Sequence, residues 1–430
     1  MSGISPREPI DACLAEAIAR YTDDNPLSLA QHRRASQSMP DGNTRSVLYS
    51  DPFPITLLRG RGAYVTSIDE SEYVDYLGDY TAGLYGHSDP TIAAAIWEAS
   101  QSGWVLGGHS TVEEQFAVLL RKRFKPLQRL RFTNSGTEAN LMAITAALEH
   151  TARPAIVAFE GGYHGSVLNF CTARVGNLPF EFIVLPYNDP ERFVTVARRQ
   201  AQRIAAVLVE PMLGPGGCVP ATSEFLRCLR AECDRHGALL IFDEVMTSRL
   251  TPGGLQSAYQ ITPDLMTLGK YLGGGLSSGV FGGRADVMQV FDPRCGRGNI
   301  CSISAGLVGL RDVYTAEANV RLNRTGDATR QQLDSLILKS GLPMSVTGTG
   351  SMMHVHMRRG PITDYRNASV ADAKLRTLFY YDLLESGIWS ARRRMFCLSL
   401  PMGDNERHQL VRALDDFIIE RCELFNDIPD

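Results

Sequence analysis

Lys270 occupies a sequence position at which a lysine amine could act as a nucleophile. It follows the apolar run LMTLG and comes shortly before Gly273-Gly274-Gly275. A lysine withdrawn from water has a lowered pKa, and its neutral amine is a nucleophile that forms a Schiff base with an aldehyde. Taken alone, Lys270 is better explained as a solvated lysine beside a flexible loop. Its interpretation therefore depends on the other motifs.

Two carboxylates also stand at the ends of apolar runs. Asp243 follows ALLIF, and Glu210 follows AAVLV. An acid at the end of a buried strand costs free energy unless it meets a cation or a hydrogen-bond donor. Helix capping or ion pairing explains Glu210 about as well as a functional role does. For Asp243 we favour a functional role because of the Lys270 motif.

The segment Thr133–Asn140 follows the apolar run RLRF and opens a predicted helix. Backbone N–H groups at the start of a helix bind anions, and the hydroxyls of Ser135 and Thr137 add further donors. Gly136 lets a phosphate approach the backbone. On its own, the segment is better explained as a capping box in which Ser135 or Thr137 caps the helix.

Tyr163 lies in the segment GGYHG, directly after the apolar run AIVAFE. An aromatic side chain presented by glycines at the end of a strand is suited to stack on a flat ring. A glycine turn with a half-buried tyrosine explains the segment equally well.

These motifs together meet the requirements of one cofactor. Pyridoxal 5'-phosphate needs a lysine for its aldehyde, a carboxylate for its pyridine nitrogen, a flat partner for its ring and an anion site for its phosphate. Lys270, Asp243, Tyr163 and Ser135–Thr137 supply these four groups. Their joint occurrence by accident is much less probable than that of any one motif.

The elements that must position these residues form an alternating pattern. The apolar runs LRFT, AIVAFE, FIVLP, AAVLVE, ALLIFDE, LMTLG and GVFGG are separated in several places by helical periods. Continuous apolar runs joined by helices predict a largely parallel sheet buried on both faces, and hence an α/β fold. Ligands bind at the carboxyl ends of the strands of such a sheet.

The flanking segments predict smaller elements. We expect an N-terminal helix, three short strands within residues 55–78 and a helix that begins at Pro90 with Asp89 as its cap. A second α+β region begins near residue 304. Its predicted elements are a helix over roughly 304–340, strands at VTGTG and MMHVHMR, a helix near 370–386, a strand near MFCLSL and a last helix from 405.

Composition excludes several classes of protein. The 430 residues carry 43 Lys and Arg against 47 Asp and Glu, so there is no basic excess of the kind that nucleic-acid binding needs. No apolar run approaches the roughly 20 residues of a membrane span. The nine cysteines include no C-x-x-C pair, so neither a zinc ribbon nor a thioredoxin-like site is predicted. Their odd number in a chain of this length is typical of the reduced thiols of a cytoplasmic protein. His354 and His356 form an H-x-H pair that, with no third ligand nearby, is better explained as an accident of a strand face than as a metal site.

The assembled sequence resembles class III aminotransferases of the fold type I pyridoxal-phosphate superfamily. The segments NSGTEAN, GGYHG, VLVEPM, IFDEV and TLGKYLGGG carry this resemblance, which spans nearly the whole chain. The most similar subgroups are aromatic β-amino acid (β-phenylalanine) aminotransferases and glutamate-1-semialdehyde 2,1-aminomutases. The resemblance implies an N-terminal segment, 1–75, that contributes to the small domain and the active site, a large cofactor domain, 76–303, and a small α+β domain, 304–430.

The resemblance also implies roles for individual residues. Lys270 would bond the cofactor and move a proton, Asp243 would pair with the pyridinium, and Glu210 would belong to the cofactor site. Tyr163 and Val245 would pack on opposite faces of the ring, and Gly136 and Thr137, beside Ser135, would bind the phosphate. Arg45 and Arg393 would hold substrate carboxylates. Arg392 and Arg394, which flank Arg393, are expected to be solvated.

The chain departs from the family at one place. A loop whose threonine reaches the neighbouring subunit's cofactor phosphate is expected before the first helix of the small domain, but here Gly298 is followed directly by Asn299. Three functions stay open: an aminotransferase acting on a β-amino acid and an oxo acid, an aminomutase, and a catalytically impaired homologue. The resemblance implies a homodimer, with neither a nucleic acid nor a membrane as a partner.

Overall fold

A seven-stranded sheet forms the centre of the protein. The computed structural model describes residues 8–104, 106–171, 176–291, 298–370 and 373–425. Its strands are β4 (Arg129–Thr133), β5 (Ala155–Phe159), β6 (Glu181–Leu185), β7 (Ile204–Val209), β10 (Leu239–Asp243), β11 (Leu265–Gly269) and β12 (Gly279–Gly283). Across the sheet their order is β4-β12-β11-β10-β7-β5-β6. All neighbours are parallel except the two pairs that involve β12, which confirms the predicted, largely parallel sheet.

Helices cover both faces of this sheet. They are α4 (Pro90–Gln101), α5 (Thr111–Arg123), α6 (Gly136–Thr151), α7 (Pro190–Gln200), α8 (Ser223–His236) and α9 (Leu255–Tyr259), with the two-residue strands β8 (Met212–Leu213) and β9 (Val219–Pro220) between α7 and α8. Ile241 packs in the core beside α6, while its neighbour Phe242 packs in the core beneath α7 and α8. Because consecutive side chains of a strand point to opposite faces, burial on both faces requires the unbroken apolar runs of the sequence.

Segments from the N-terminal and C-terminal parts of the described chain come together beside this sheet. The N-terminal part comprises α1 (Glu8–Asp24), α2 (Pro26–Ala35), β1 (Leu57–Arg61), β2 (Tyr64–Ser67), β3 (Glu72–Asp75) and the helical turn α3 (Gly78–Thr81). Strand β15 (Ile388–Trp389) from the C-terminal region pairs with β3, so both regions contribute to one four-stranded sheet. The predicted domain limits at residues 75 and 303 stay predictions.

The C-terminal region adds a three-stranded sheet and its helices. Its elements are α10 (Ile300–Val308), α11 (Ala316–Ser340), β13 (Ser345–Thr349), β14 (Met352–His356), α12 (Tyr365–Ser369), α13 (Ala373–Glu385), β16 (Met395–Cys397) and α14 (Asp404–Arg421). The predicted continuous helix over 304–340 is wrong, because a π-helical turn at Gly309–Val313 separates α10 from α11. A β-carbon on Gly309 would lie 2.8 Å from the ring of Tyr85, so close packing requires glycine at the start of this turn.

The sequence contains no apolar run long enough for a membrane span, and among the described residues no helix has the length and apolar character to cross a membrane.

The segment before α10 bears on the family loop that the sequence is expected to lack. Asn299 caps α10 by accepting hydrogen bonds from the N–H groups of Cys301 and Ser302. Residues 292–297, which precede this cap, lie outside the described residues, so the proposed loss of a loop here stays a prediction.

Burial of Glu244 predicts a pH dependence of stability. Its carboxylate accepts hydrogen bonds from the N–H groups of Leu255 and Gln256 and from the hydroxyl of Thr247, and burial raises the pKa of Glu244 to about 7. The folded state therefore retains this proton at pH values where the unfolded chain has lost it. Stability from this group is present below the unfolded pKa of 4.5 and is lost as pH rises through about 7.

We expect the wild type to lose roughly 3 kcal/mol more than Glu244→Gln between pH 4.5 and 8, because the variant cannot release the proton. Thermal unfolding across this pH range measures the difference. Glu420→Gln, at an exposed position of α14, is the control and should keep the wild-type profile. Parallel profiles for Glu244→Gln and the wild type would contradict the expectation.

Candidate active site

A cavity of about 520 Å³ opens at the carboxyl ends of β4, β7, β10 and β11. The predicted residues that line it are Arg45, Ser135, Gly136, Thr137, Tyr163, Glu210, Asp243, Val245 and Lys270. They come from distant parts of the sequence, and the strand ends bring them together, as expected for a parallel sheet. Arg393 is the predicted site residue that is not among the described residues lining this cavity.

Lys270 is the first residue after β11 and projects into this cavity. Its φ of 58° lies in the left-handed region, which is costly for a residue with a side chain and is concentrated at functional sites. Burial lowers the pKa of Lys270, while the carboxylates of Asp79 and Asp243 oppose that shift. The structure thus places Lys270 in the environment in which a lysine amine becomes a nucleophile.

Asp243 is buried and surrounded by hydrogen-bond donors. Its Oδ2 accepts from Nδ1 of His164 and Nδ2 of Asn140, each at 2.7 Å, and its Oδ1 accepts from the N–H of Val245 at 3.0 Å. Asn140 in turn accepts a 2.7 Å hydrogen bond from Thr267 on β11. The network fixes the orientation of a carboxylate at the base of the cavity.

Helix α6 begins at the cavity wall with Gly136. The hydroxyl of Ser135 accepts from the N–H of Glu138 at 3.1 Å, so the helix-cap interpretation is correct for Ser135. The first N–H groups of a helix, here those of Gly136 and Thr137, have no acceptor within the helix. The end of α6 therefore offers unpaired donors and the positive end of its dipole to an anion.

Close packing explains two glycines of the cavity wall. A β-carbon on Gly136 would lie 2.7 Å from Cγ1 of Val245, and one on Gly165 would lie 2.3 Å from Oγ1 of Thr137. Any larger residue at either position would displace a side chain that lines the cavity.

The side chain of Glu210 holds the backbone of Tyr163 in place. Its Oε1 accepts from the N–H of Tyr163 at 2.9 Å, and its Oε2 accepts from the N–H of Gly214 at 3.0 Å. Burial raises the pKa of Glu210. Both acceptor oxygens of Glu210 are used in positioning backbone, which favours the structural interpretation of this residue, although it also lines the cavity.

The predicted carboxylate-binding arginines occupy different positions. Arg45 lines the cavity and forms an ion pair of 2.6 Å with Asp79. The guanidinium carbon of Arg393 lies 5.1 Å from the ring centroid of Tyr80. The expectation of a solvated Arg394 is wrong, since Arg394 is only 3% exposed and its burial lowers its pKa to about 9.

Four contributors were not singled out from the sequence: Asp79, Asn140, His164 and Thr267. Asn140 interrupts an apolar helix face and His164 belongs to GGYHG, so both carried a signal. Thr267 lies inside the apolar run LMTLG, where a single hydroxyl is inconspicuous, and nothing local marks Asp79.

Comparison with known proteins identifies the family. The family model described as aminotransferase class-III matches residues 48–416. The chain belongs to the class III aminotransferases. It is 46% identical over 418 residues to the β-phenylalanine transaminase of Variovorax paradoxus, covering 95% of this chain and 96% of that protein. It is 34% identical to a glutamate-1-semialdehyde 2,1-aminomutase of Sorangium cellulosum, covering 85% and 90%.

Solved structures agree with this assignment. The β-phenylalanine aminotransferase of Variovorax paradoxus superposes with a TM-score of 0.94 and covers 96% of this chain and 98% of that one at 46% identity. An omega-transaminase of Sphaerobacter thermophilus gives a TM-score of 0.86 at 35% identity, covering 91% and 97%. The fold is thus that of class III aminotransferases over nearly the whole chain.

Replacement of Asn140 tests the network around Asp243. Asn140→Leu removes one donor from Asp243 and the acceptor for the Thr267 hydroxyl, and the groups left behind are buried. We expect a loss of about 2–4 kcal/mol of stability, measured as a lower midpoint of thermal unfolding, because buried polar groups lose their partners. Asn134→Leu, at an exposed position of the same segment, should change the midpoint little. An equal loss in both variants would contradict this account.

Proposed function

We propose that this chain is a pyridoxal-phosphate-dependent aminotransferase that transfers an amino group from a β-amino acid to an oxo acid. The observation that carries the proposal is the single cavity in which Lys270, Asp243, Tyr163 and the start of α6 meet. The 46% identity to a β-phenylalanine transaminase over nearly the full length supports the choice of substrate class.

The cavity residues fit the cofactor. Gly136 and Thr137 line the cavity at the start of α6, where their N–H groups lack an intrahelical acceptor. Asp243 is held by donors at the base of the cavity, and Lys270 projects into it. These residues would hold the phosphate, the pyridine nitrogen and the aldehyde, respectively, while Tyr163 and Val245 would contact the ring.

When bound, pyridoxal phosphate supplies an aldehyde that reacts with amines and a ring that withdraws electrons. Asp243 would pair with the ring nitrogen and favour its protonated form, and His164 and Asn140 hold Asp243 in the orientation that this requires. Nζ of Lys270 takes a proton from the substrate carbon and returns it, for which its lowered pKa is suited. Arg45 orients a substrate carboxylate from the cavity wall. Arg393, which does not line the cavity, stays a predicted second carboxylate-binding residue.

An aminomutase is the second candidate function. The 34% identity to glutamate-1-semialdehyde 2,1-aminomutases supports it, and the same lysine and aspartate would serve both reactions. A mutase turns over one substrate alone, whereas an aminotransferase requires an oxo acid. A catalytically impaired homologue is the third candidate, and the direct passage from Gly298 to Asn299 motivates it.

A homodimer is part of this proposal. Trp97 on α4 and the nearby Trp104 and Leu106 are 69%, 66% and 58% exposed, respectively. Large apolar side chains exposed within one short segment are typical of a surface that another protein covers. We infer that a second copy of this chain covers it. All described cysteines are unpaired, which supports a reducing, cytoplasmic location.

Activity and cofactor attachment can be tested together. With 3-amino-3-phenylpropanoate and 2-oxoglutarate or pyruvate, the wild type should form glutamate or alanine, and no turnover should occur without the oxo acid. Lys270→Ala should abolish both the product and the near-visible absorbance of the lysine-bonded cofactor, since no other amine replaces Nζ. Lys339→Ala, at an exposed position of α11, is the control. An unchanged spectrum in Lys270→Ala would refute the cofactor assignment, and turnover without an oxo acid would favour the mutase.

The dimer surface predicts the effect of a charge. Trp104→Glu should shift the protein from dimer toward monomer in light scattering after size-exclusion chromatography, because a buried, unpaired carboxylate opposes association. Leu338→Glu, at a position of α11 that is 74% exposed, should leave the dimer intact. A wild type that is monomeric at micromolar concentration would rule out the proposed surface.

A further inference from the structure

The ion pair between Arg45 and Asp79 lies on the cavity wall and faces the reactive lysine. Nη1 of Arg45 is 2.6 Å from Oδ1 of Asp79, and the side chains are 43% and 55% exposed. Both residues line the cavity that contains Lys270. Among the charged groups that act on the Lys270 amine, Asp79 has the largest effect and Arg45 the second largest, with opposite signs. Substrate approaching Lys270 therefore meets both charges.

Asp79 is held in this position by strained backbone. Gly78, Asp79, Tyr80 and Thr81 have φ angles of 50°, 41°, 54° and 84°. A left-handed turn with three residues other than glycine is costly, and such strain persists only where the surrounding structure enforces it.

Contacts on both sides enforce this turn. The carboxylate of Asp75 accepts hydrogen bonds from the N–H groups of Leu77 and Gly78, and Nη1 of the buried Arg249 donates to the carbonyl of Thr81. These contacts fix the direction in which Asp79 leaves the backbone.

The stability of the ion pair itself does not account for this arrangement. Exposed ion pairs contribute little to folding, so a pair of this kind gives no reason to maintain a strained turn. The pair also stands at a wall shared by two cavities, because Arg45, Val47 and Asp79 line a second cavity of about 470 Å³ as well. Tyr49 and Trp389 are among the aromatic residues of that second cavity. The position of the pair thus points to ligand recognition.

We propose that Arg45 and Asp79 together recognise the zwitterionic amino substrate, with Arg45 taking its carboxylate and Asp79 its ammonium group. The inference rests on the proposed function and adds Asp79 as a specificity-determining residue. When an amino acid binds, its carboxylate takes the place of Asp79 beside Arg45, and its ammonium group takes the place of Arg45 beside Asp79. A carboxylate without an amine has to compete with Asp79 for Arg45 and leaves Asp79 without a partner.

Two ligands that differ by one amine separate these contributions. The probes are 3-amino-3-phenylpropanoate and 3-phenylpropanoate, which lacks the amine and cannot react. Asp79→Asn removes the charge and retains a residue that tolerates left-handed backbone. The dissociation constant of 3-phenylpropanoate is measured calorimetrically on the holoenzyme. For the amino acid, KM and kcat are measured, or the calorimetric dissociation constant if no transamination occurs.

The proposal predicts effects of opposite sign. In Asp79→Asn, 3-phenylpropanoate should bind about fivefold more tightly because Arg45 is released from its partner, which matches the usual strength of an exposed ion pair. KM for the amino acid should rise about tenfold, as for the loss of one charge-assisted hydrogen bond, with kcat changed by less than about threefold. Arg45→Gln should weaken the binding of both ligands.

Matched variants complete the design. Asp312→Asn removes the acid of another exposed ion pair, to Arg311 at 2.7 Å, and should leave all constants at wild-type values. Asp79→Gly, which also suits a positive φ, replaces Asp79→Asn if the latter is unstable.

The proposal is overturned if the dissociation constant of 3-phenylpropanoate and the KM of the amino acid in Asp79→Asn both stay within twofold of the wild type. It is also overturned if both constants shift in the same direction. If the wild type does not transaminate but Asp79→Asn still binds 3-phenylpropanoate more tightly and the amino acid more weakly, the proposed function fails and the recognition pair stands. Failure of wild type and variants to bind either ligand rejects both.

Discussion

The carboxylate of Asp243 imposes the constraint on which the rest of the site depends. It ends a strand with no exposed face, where an acid is tolerated only if donors surround it. Those donors come from α6 through Asn140 and from the GGYHG segment through His164. Asn140 also binds Thr267 on β11, three residues before Lys270. Satisfying one buried acid therefore fixes the start of α6, the turn that carries Tyr163 and the strand that delivers the lysine.

The sequence predicted those parts of the fold in which local pattern and tertiary burial agree. β5, β10 and β11 are short apolar runs buried on both faces, so their composition reports their environment directly. The helix expected over 304–340 failed for the opposite reason. Its apolar periodicity continues through Gly309, but a π-helical turn begins there, at a position where a β-carbon would meet the ring of Tyr85 from a distant part of the chain. Periodicity within one segment contains no information about such a contact.

In the candidate site, too, residues marked by the local sequence were predicted, whereas residues placed by distant contacts were not. Lys270 and Asp243 were found because each is a charged residue at the end of an apolar run, an anomaly visible in the sequence. Asp79 was not found, because its place on the cavity wall results from a left-handed turn that Asp75 and Arg249 hold from outside. Arg394 adjoins Arg393 in an arginine run, and its near-complete burial depends on packing that composition does not reveal.

The carboxylates of Asp243 and Asp79 both line the cavity but differ in burial. The difference corresponds to how long the ligand that each would contact stays bound. Asp243 is 3% exposed and has several donors, whereas the Asp79 side chain is 55% exposed and has one guanidinium partner. Buried, fully satisfied charges are costly to disturb, which suits a cofactor retained through many turnovers. Exposed pairs are weak and exchange readily, which suits substrates that enter and leave in each half of a transamination. If the proposed function is correct, solvent access thus separates the permanent ligand from the exchanging one within a single cavity.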